Sequence, residues 1–170
     1  IFAATIKAVR DKTAGCSVEV LIPDFGGSRH ALDVVLDAEP DVLGHNLETV
    51  LSLYHTVRPQ AEYRRSLQVL EHAKKRGAVT KSGIMVGLGE GPNELTSIFQ
   101  DLRTAGCDIL TIGQYLPPGR EHLPVRKYYH PYEFEELQRN ALALGFRRVI
   151  AGPLVRSSYH AERHVNVQIG

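Results

Sequence analysis

The chain repeats one unit from end to end. A short apolar, β-rich run is followed by glycine or proline, then by a stretch whose apolar residues fall at helical spacing. The strand-like runs are 18–22, Asp41-Val42-Leu43, 82–88, 108–112 and 148–151. Between them, 31–36 reads as a short helix. Tyr63, Leu67 and Leu70 mark one face of a helix over 60–76 that stops at Gly77. Leu95, Ile98, Phe99 and Leu102 mark another, running from Pro92 to Gly106, and 131–144 marks a third ending at Gly145. Phe2, Ile6 and Val9 place a helix before the first strand, ending at Thr13-Ala14-Gly15. Strand–helix alternation with short punctuation specifies a parallel α/β sheet. Five strands in 170 residues fall short of a closed eight-stranded barrel, which takes ~250 residues, so an open sheet or part of a barrel is expected.

Composition narrows the function classes. Twenty basic against nineteen acidic residues leave a formal charge of +1, which gives no electrostatic footprint for nucleic acid or an anionic membrane. No apolar run approaches the roughly 20 residues that span a bilayer. Two cysteines, Cys16 and Cys107, form no Cys-x-x-Cys pair and no disulfide framework, which suits a reducing, cytosol-like compartment. Cys107 reads as a small core residue, Cys16 as a loop residue and Arg64-Arg65 as a solvent-facing pair. No targeting segment is visible. The chain starts at Ile1, already inside a helical pattern, and is expected to be a piece of something longer.

Ligands of parallel α/β folds bind at the carboxyl ends of the strands. Here those ends carry Pro23-Asp24-Phe25-Gly26-Gly27, His45-Asn46-Leu47-Glu48-Thr49, Gly87-Leu88-Gly89-Glu90, Gly113-Gln114-Tyr115-Leu116 and Gly152 through Tyr159. Several loops with amide, carboxylate and hydroxyl groups on one rim point to a polar ligand, although turn chemistry uses the same residues. The glycines at 83, 87 and 89 match neither a dinucleotide fingerprint nor a P-loop. Gly83 admits either close approach of a ligand or plain packing relief. His160 and His164, with Glu162 between them, have the spacing of metal ligands on a helix and equally that of a solvated pair. Ser157 or Ser158 beside His160 lacks the Gly-x-Ser-x-Gly elbow of a hydrolase.

The strings HNLETV (45–50), VRPQAEYRRSL (57–67), TKSGIMVGLGE (80–90), DILTIGQYLPPGREHLPVRKYYHPYEF (108–134) and AGPLVRSSYHAE (151–162) together resemble the lipoyl synthase family, in the same order. The segment VEVLIPDF (18–25) fits before them. The resemblance implies a radical S-adenosylmethionine enzyme on a partial (β/α) barrel, with 1–170 as its C-terminal portion, the first strands and cluster loops missing. Such an enzyme is a sulfurtransferase that inserts sulfur at C6 and C8 of an octanoyl chain amide-linked to a lysine of a lipoyl carrier. It implies two four-iron, four-sulfur clusters. One, held by Cys-x3-Cys-x2-Cys, cleaves S-adenosylmethionine reductively; an auxiliary one, held by three cysteines and a serine, gives up sulfur.

Carried over by position, Ser158, in preference to Ser157, falls on the cluster-ligating serine, in the environment of Arg156 and Tyr159. A hydroxyl is a weak, exchangeable ligand for iron beside thiolate, as a cluster that must be dismantled requires. Asn46, Glu48, Gly83, Gly87, Glu90, Gln114 and Leu116 fall on S-adenosylmethionine contacts, the last two at the strand end suited to adenine. None of the six cluster cysteines is present, so the 170-residue chain alone is expected to be inactive. Implied partners are octanoylated lipoyl domains and the glycine-cleavage H protein, with ferredoxin or flavodoxin as reductant. The implied location is the cytoplasm of a bacterium, or a mitochondrial or plastid matrix. The alternative reading is a non-catalytic relative that binds S-adenosylmethionine or a lipoyl carrier; a different α/β enzyme using the same rim is the remaining one.

Overall fold

The structure is a computed structural model and describes residues 1–159. Five strands, β1 (Glu19–Leu21), β2 (Val42–Gly44), β3 (Thr80–Val86), β4 (Ile109–Gln114) and β5 (Arg148–Gly152), form one sheet in the order β1-β2-β3-β4-β5. Every neighbouring pair is parallel. Sequential order with parallel pairing is how a (β/α) barrel wall is laid down, and β1 and β5 stay apart at its two ends, so the wall is open. The helices are α1 (Phe2–Lys12), α2 (Arg29–Leu36), α3 (Tyr54–Val57), α4 (Tyr63–Lys75), α5 (Pro92–Thr104) and α6 (Pro131–Ala143).

Alternate strand residues point to opposite faces. Ile84 and Val86 of β3, Leu110 and Ile112 of β4 and Val149 of β5 meet Leu95, Ile98, Phe99, Leu102, Phe134 and Ala141 of α5 and α6 in the larger core. Leu43 of β2 meets Leu32, Val35, Val69 and Ala73 of α2 and α4, with Ile6 of α1, in the smaller one. Each such side chain contributes roughly 1.5–3 kcal/mol on burial. The helix-covered face therefore carries the stability. The opposite face, which becomes the barrel lumen, holds Glu19, Gly44, Lys81, Gly83, Met85, Thr111, Gly113, Arg148 and Gly152, by the register of the strands.

The amino ends of the strands are tied by Asp108. It accepts from Lys74 Nζ at 2.9 and 2.8 Å, from the Thr80 amide at 3.0 Å, and pairs with Arg147 Nε at 3.2 Å. One buried carboxylate thus joins α4, β3 and the start of β5, leaving the opposite rim free for a ligand.

Boundaries differ from the sequence reading where pairing overrides pattern. The third strand starts at Thr80 and ends at Val86, because Thr80 and Lys81 pair with Leu43 and Gly44, and Gly87, at φ +105°, turns the chain away. The fourth extends to Gln114, since Gly113 and Gln114 stay in register with Met85 and Val86. Residues 51–57, to which the sequence reading assigns no element, form a 3-10 turn and α3. Arg64 is exposed, but Arg65 is not a solvent-facing residue: its Nε binds Asp24 at 2.5 Å and its Nη1 binds Glu62 at 3.1 Å, which fixes α4 to the turn after β1. Cys107 is buried, its thiol pushed up to about 12 by burial, and Cys16 is exposed.

Candidate functional site

A cavity of about 180 Å³ opens on the lumen face at the carboxyl ends of β2, β3 and β4. Its lining includes Asn46, Glu48, Gly83, Thr111, Gly113 and Arg156, with Ser157 at its edge. Asn46 Nδ2 donates to Glu48 Oε1 at 3.0 Å, so the two side chains form one preset pair. Glu48 reaches this place through a left-handed backbone (φ 69°), while its own peptide stays in the sheet: its N–H donates to the Gly83 carbonyl at 3.0 Å and its carbonyl accepts from Met85 N–H at 2.8 Å. A strained non-glycine residue held by two ladder bonds is a pre-organised one. Burial pushes the Glu48 carboxyl above the ordinary range, with the Asn46 amide and the Arg58 charge pulling the other way.

Arg58 is a residue that sequence reasoning missed. Its Nη1 donates to the Asn46 carbonyl at 2.8 Å and to Tyr54 Oη at 2.7 Å, and that hydroxyl meets Ser66 Oγ at 2.7 Å. The strap thus fixes the Asn46 backbone to α3 and α4. Its forewarnings were the Arg58-Pro59 step, which ends α3, and its place in the string VRPQAEYRRSL. His45 lies beside the pair, buried, its Nδ1–H donating to the Ile22 carbonyl at 2.8 Å, and burial pulls its pKa down.

Gly83 is settled by geometry. A Cβ there would stand 2.8 Å from Thr111 Oγ1 and 3.0 Å from Asn46 Oδ1. The glycine is what lets the Asn46 side chain lie across β3. The last lining segment is seated in the same way: a Cβ on Gly113 would stand 2.3 Å from the Val155 carbonyl oxygen. Residues 155–157 therefore lie directly on β4, with Arg156 Nη1 turned back to the Val155 carbonyl at 2.7 Å.

Other expected site residues sit apart from this cavity. Glu90 accepts from the N–H groups of Gly87 at 2.6 Å, Leu88 at 2.9 Å and Gly89 at 3.1 Å, and from Tyr129 Oη at 2.9 Å. Its carboxylate is the centre of its own loop. Gln114 donates to the carbonyls of Tyr115 and Lys127 and accepts from Tyr129 N–H at 3.0 Å, holding 127–129 over the end of β4. Gly87 belongs to this knot, since a Cβ there would meet Gln114 Nε2 at 2.2 Å. Leu116 is exposed beside it, and Ser158 and Tyr159 are exposed at the edge of the rim. His160, Glu162 and His164 lie outside the described residues.

Lys81 was not singled out from sequence either. It is 2 % exposed in the lumen, pairs with Glu19 Oε1 at 2.5 Å and donates to the Ser157 carbonyl. Burial pulls its ammonium down against the opposing effect of Glu19.

Residues 1–102 match the radical SAM superfamily. The chain belongs to the radical SAM superfamily. It is 56 % identical over 163 residues to a lipoyl synthase of Rubrobacter xylanophilus, covering 95 % of this chain and 51 % of that protein. It is 58 % identical over 164 residues to a lipoyl synthase of Symbiobacterium thermophilum, again covering 95 % and 51 %. The chain thus spans about half the length of the curated relatives it matches. Among solved structures, a domain of a pyruvate-formate lyase-activating enzyme from Bacteroides vulgatus superposes with a TM-score of 0.64 at 12 % identity, covering 88 % of this chain and 89 % of that one. That likeness shows the shared fold. Radical SAM chemistry uses S-adenosylmethionine and iron–sulfur clusters. Among the described residues no three of His, Cys, Asp or Glu come together to hold a metal ion. The described residues by themselves bring together no ligand set for a four-iron cluster.

Proposed function

We propose that this chain is the part of a lipoyl synthase that binds S-adenosylmethionine against the lumen face of β2–β4 and presents the 155–159 segment to the reaction. The supporting observation is that one cavity is lined from both ends of the family-matched strings, by Asn46 and Glu48 of HNLETV and by Arg156 and Ser157 of the RSSY segment. Asn46 and Glu48 offer a fixed donor–acceptor pair to the hydroxyl or ammonium groups of S-adenosylmethionine. Gly83 keeps the floor open to let that ligand approach the backbone. Gln114, Glu90 and Gly87 shape the adjoining wall where Leu116 offers an apolar surface. The 155–157 segment narrows the mouth and brings Ser158, in preference to Ser157, to the rim beside Arg156 and Tyr159.

In this reading the whole protein inserts sulfur at C6 and C8 of an octanoyl chain carried on a lysine of a lipoyl domain or an H protein. It uses two four-iron clusters whose cysteine ligands are not among the described residues, the auxiliary one taking Ser158 as its serine ligand, and a ferredoxin or flavodoxin as reductant. Equilibrium dialysis with labelled S-adenosylmethionine tests the binding step on the protein that carries this chain. Glu48→Gln is expected to weaken binding roughly tenfold, the loss of one charge-assisted hydrogen bond. Undiminished affinity in that variant would remove the cavity from the proposal.

A further inference from the structure

We infer that Lys81 is a positioning residue that fastens the 155–159 segment over the barrel mouth. The inference rests on the reading of that segment as part of the functional site. Lys81 lies on the lumen face of β3, where its backbone pairs with Gly44 of β2. Glu19 lies two strands away, on the lumen face of β1 and in register with Val42. Neighbouring strands stand ~4.8 Å apart, so the two side chains must meet above β2. Gly44 presents no side chain there to obstruct the lysine stem. An ammonium 2 % exposed is tolerated only with full partners. Its partners include Glu19 Oε1 at 2.5 Å and the main-chain carbonyl of Ser157.

The second contact changes the role of the pair. A backbone carbonyl in the turn over 156–159, which Tyr159 N–H closes on the Arg156 carbonyl at 2.9 Å, is bound by a buried cation, between the seat of Val155 on Gly113 and the exposed Ser158. The tail is therefore held at two successive points, and the side chain that follows is delivered to a fixed place on the rim. Glu19 charges and aims the lysine; Lys81 holds the segment.

Trypsin reads this directly on the protein that carries the chain, because Arg156 is exposed inside the fastened segment and Arg120 is exposed in the separate 115–130 loop. Lys81→Met is expected to raise the rate of cleavage after Arg156 roughly tenfold, with cleavage after Arg120 unchanged. Lys81→Arg should restore most of the protection, and Glu19→Gln should give a smaller rise. The paired variant E19Q/K81M leaves no lone buried charge and serves if Lys81→Met fails to fold. Wild-type cleavage after Arg156 in the folded paired variant would overturn the inference. The readout needs neither turnover nor cofactor. Fast cleavage with unimpaired lipoyl formation would keep the fastening and remove only the functional reading of the segment.

Discussion

Glu48 and Gly83 are joined by one main-chain bond, Glu48 N–H to the Gly83 carbonyl at 3.0 Å, and the glycine's missing side chain is the space into which Asn46 reaches. A left-handed residue, a bare strand position and an amide thus form a single device. Its consequences can be measured one residue at a time.

Glu48→Gln should stabilise the unliganded protein while weakening S-adenosylmethionine binding. Burial raises the folded-state pKa of Glu48 above its ordinary 4.5, so the folded state holds its proton more tightly than the unfolded chain. Stability from this group is present below the unfolded pKa and is lost as pH rises through the window up to the raised folded value. The variant keeps an acceptor for Asn46 and has no such loss. Thermal melts at several pH values should show its advantage absent in acid and growing toward neutral pH; a gap independent of pH would contradict this.

Gly83→Ala places a methyl 2.8 Å from Thr111 Oγ1 and 3.0 Å from Asn46 Oδ1. Both are side-chain atoms that can move, so the expected loss of stability is modest, about 1 kcal/mol. Displacing Asn46 should cost more in ligand binding, roughly tenfold in Kd. Urea unfolding beside isothermal titration with S-adenosylmethionine separates the two, and intact binding would show that Asn46 is not the contact.

Three backbone N–H groups and a phenol converge on Glu90. Glu90→Gln replaces one accepting oxygen with a donor facing those same groups and should destabilise by about 2–3 kcal/mol; Tyr129→Phe removes a single donor and should lose about 1–2 kcal/mol. Denaturant midpoints at constant slope check both. Equal effects from the two would mean that the loop amides find other partners.

Much of the scaffold was legible before any coordinates. Glycine stops after helices and strand–helix alternation are local signals, and they placed every strand within a few residues. The rim residues 46 and 48 were legible because a parallel sheet sends its strand ends to one side; Gly83, inside β3, was legible only as a glycine and through the resemblance. What stayed hidden depends on pairing across the fold. Lys81 looks like a polar residue at the start of a strand until Glu19, from a different strand, is brought beside it. Gln114 and Glu90 look like ligand groups until Lys127 and Tyr129 return along the 115–130 loop to occupy them. Arg65 looked solvated because Asp24 is distant in sequence.

Ser158 is exposed at the rim one residue beyond the carbonyl held by Lys81. In the protein that carries this chain, Ser158→Ala should lower lipoyl formation about tenfold while S-adenosylmethionine cleavage to 5′-deoxyadenosine continues. Ser157→Ala should have the smaller effect. Paired assays of lipoyl product and 5′-deoxyadenosine check this, and full lipoyl formation without Ser158 would sink its assignment.

The central claim is that this barrel wall serves sulfur insertion. The most direct measurement is the intact mass of an octanoylated lipoyl domain after anaerobic incubation with the protein that carries this chain, its clusters reconstituted, together with S-adenosylmethionine and a reductant. The account predicts a carrier whose mass corresponds to two added sulfur atoms, formed more slowly by Glu48→Gln when S-adenosylmethionine is limiting. An octanoyl domain of unchanged mass, from a protein that still binds S-adenosylmethionine, would contradict it and leave a binding module in place of an enzyme.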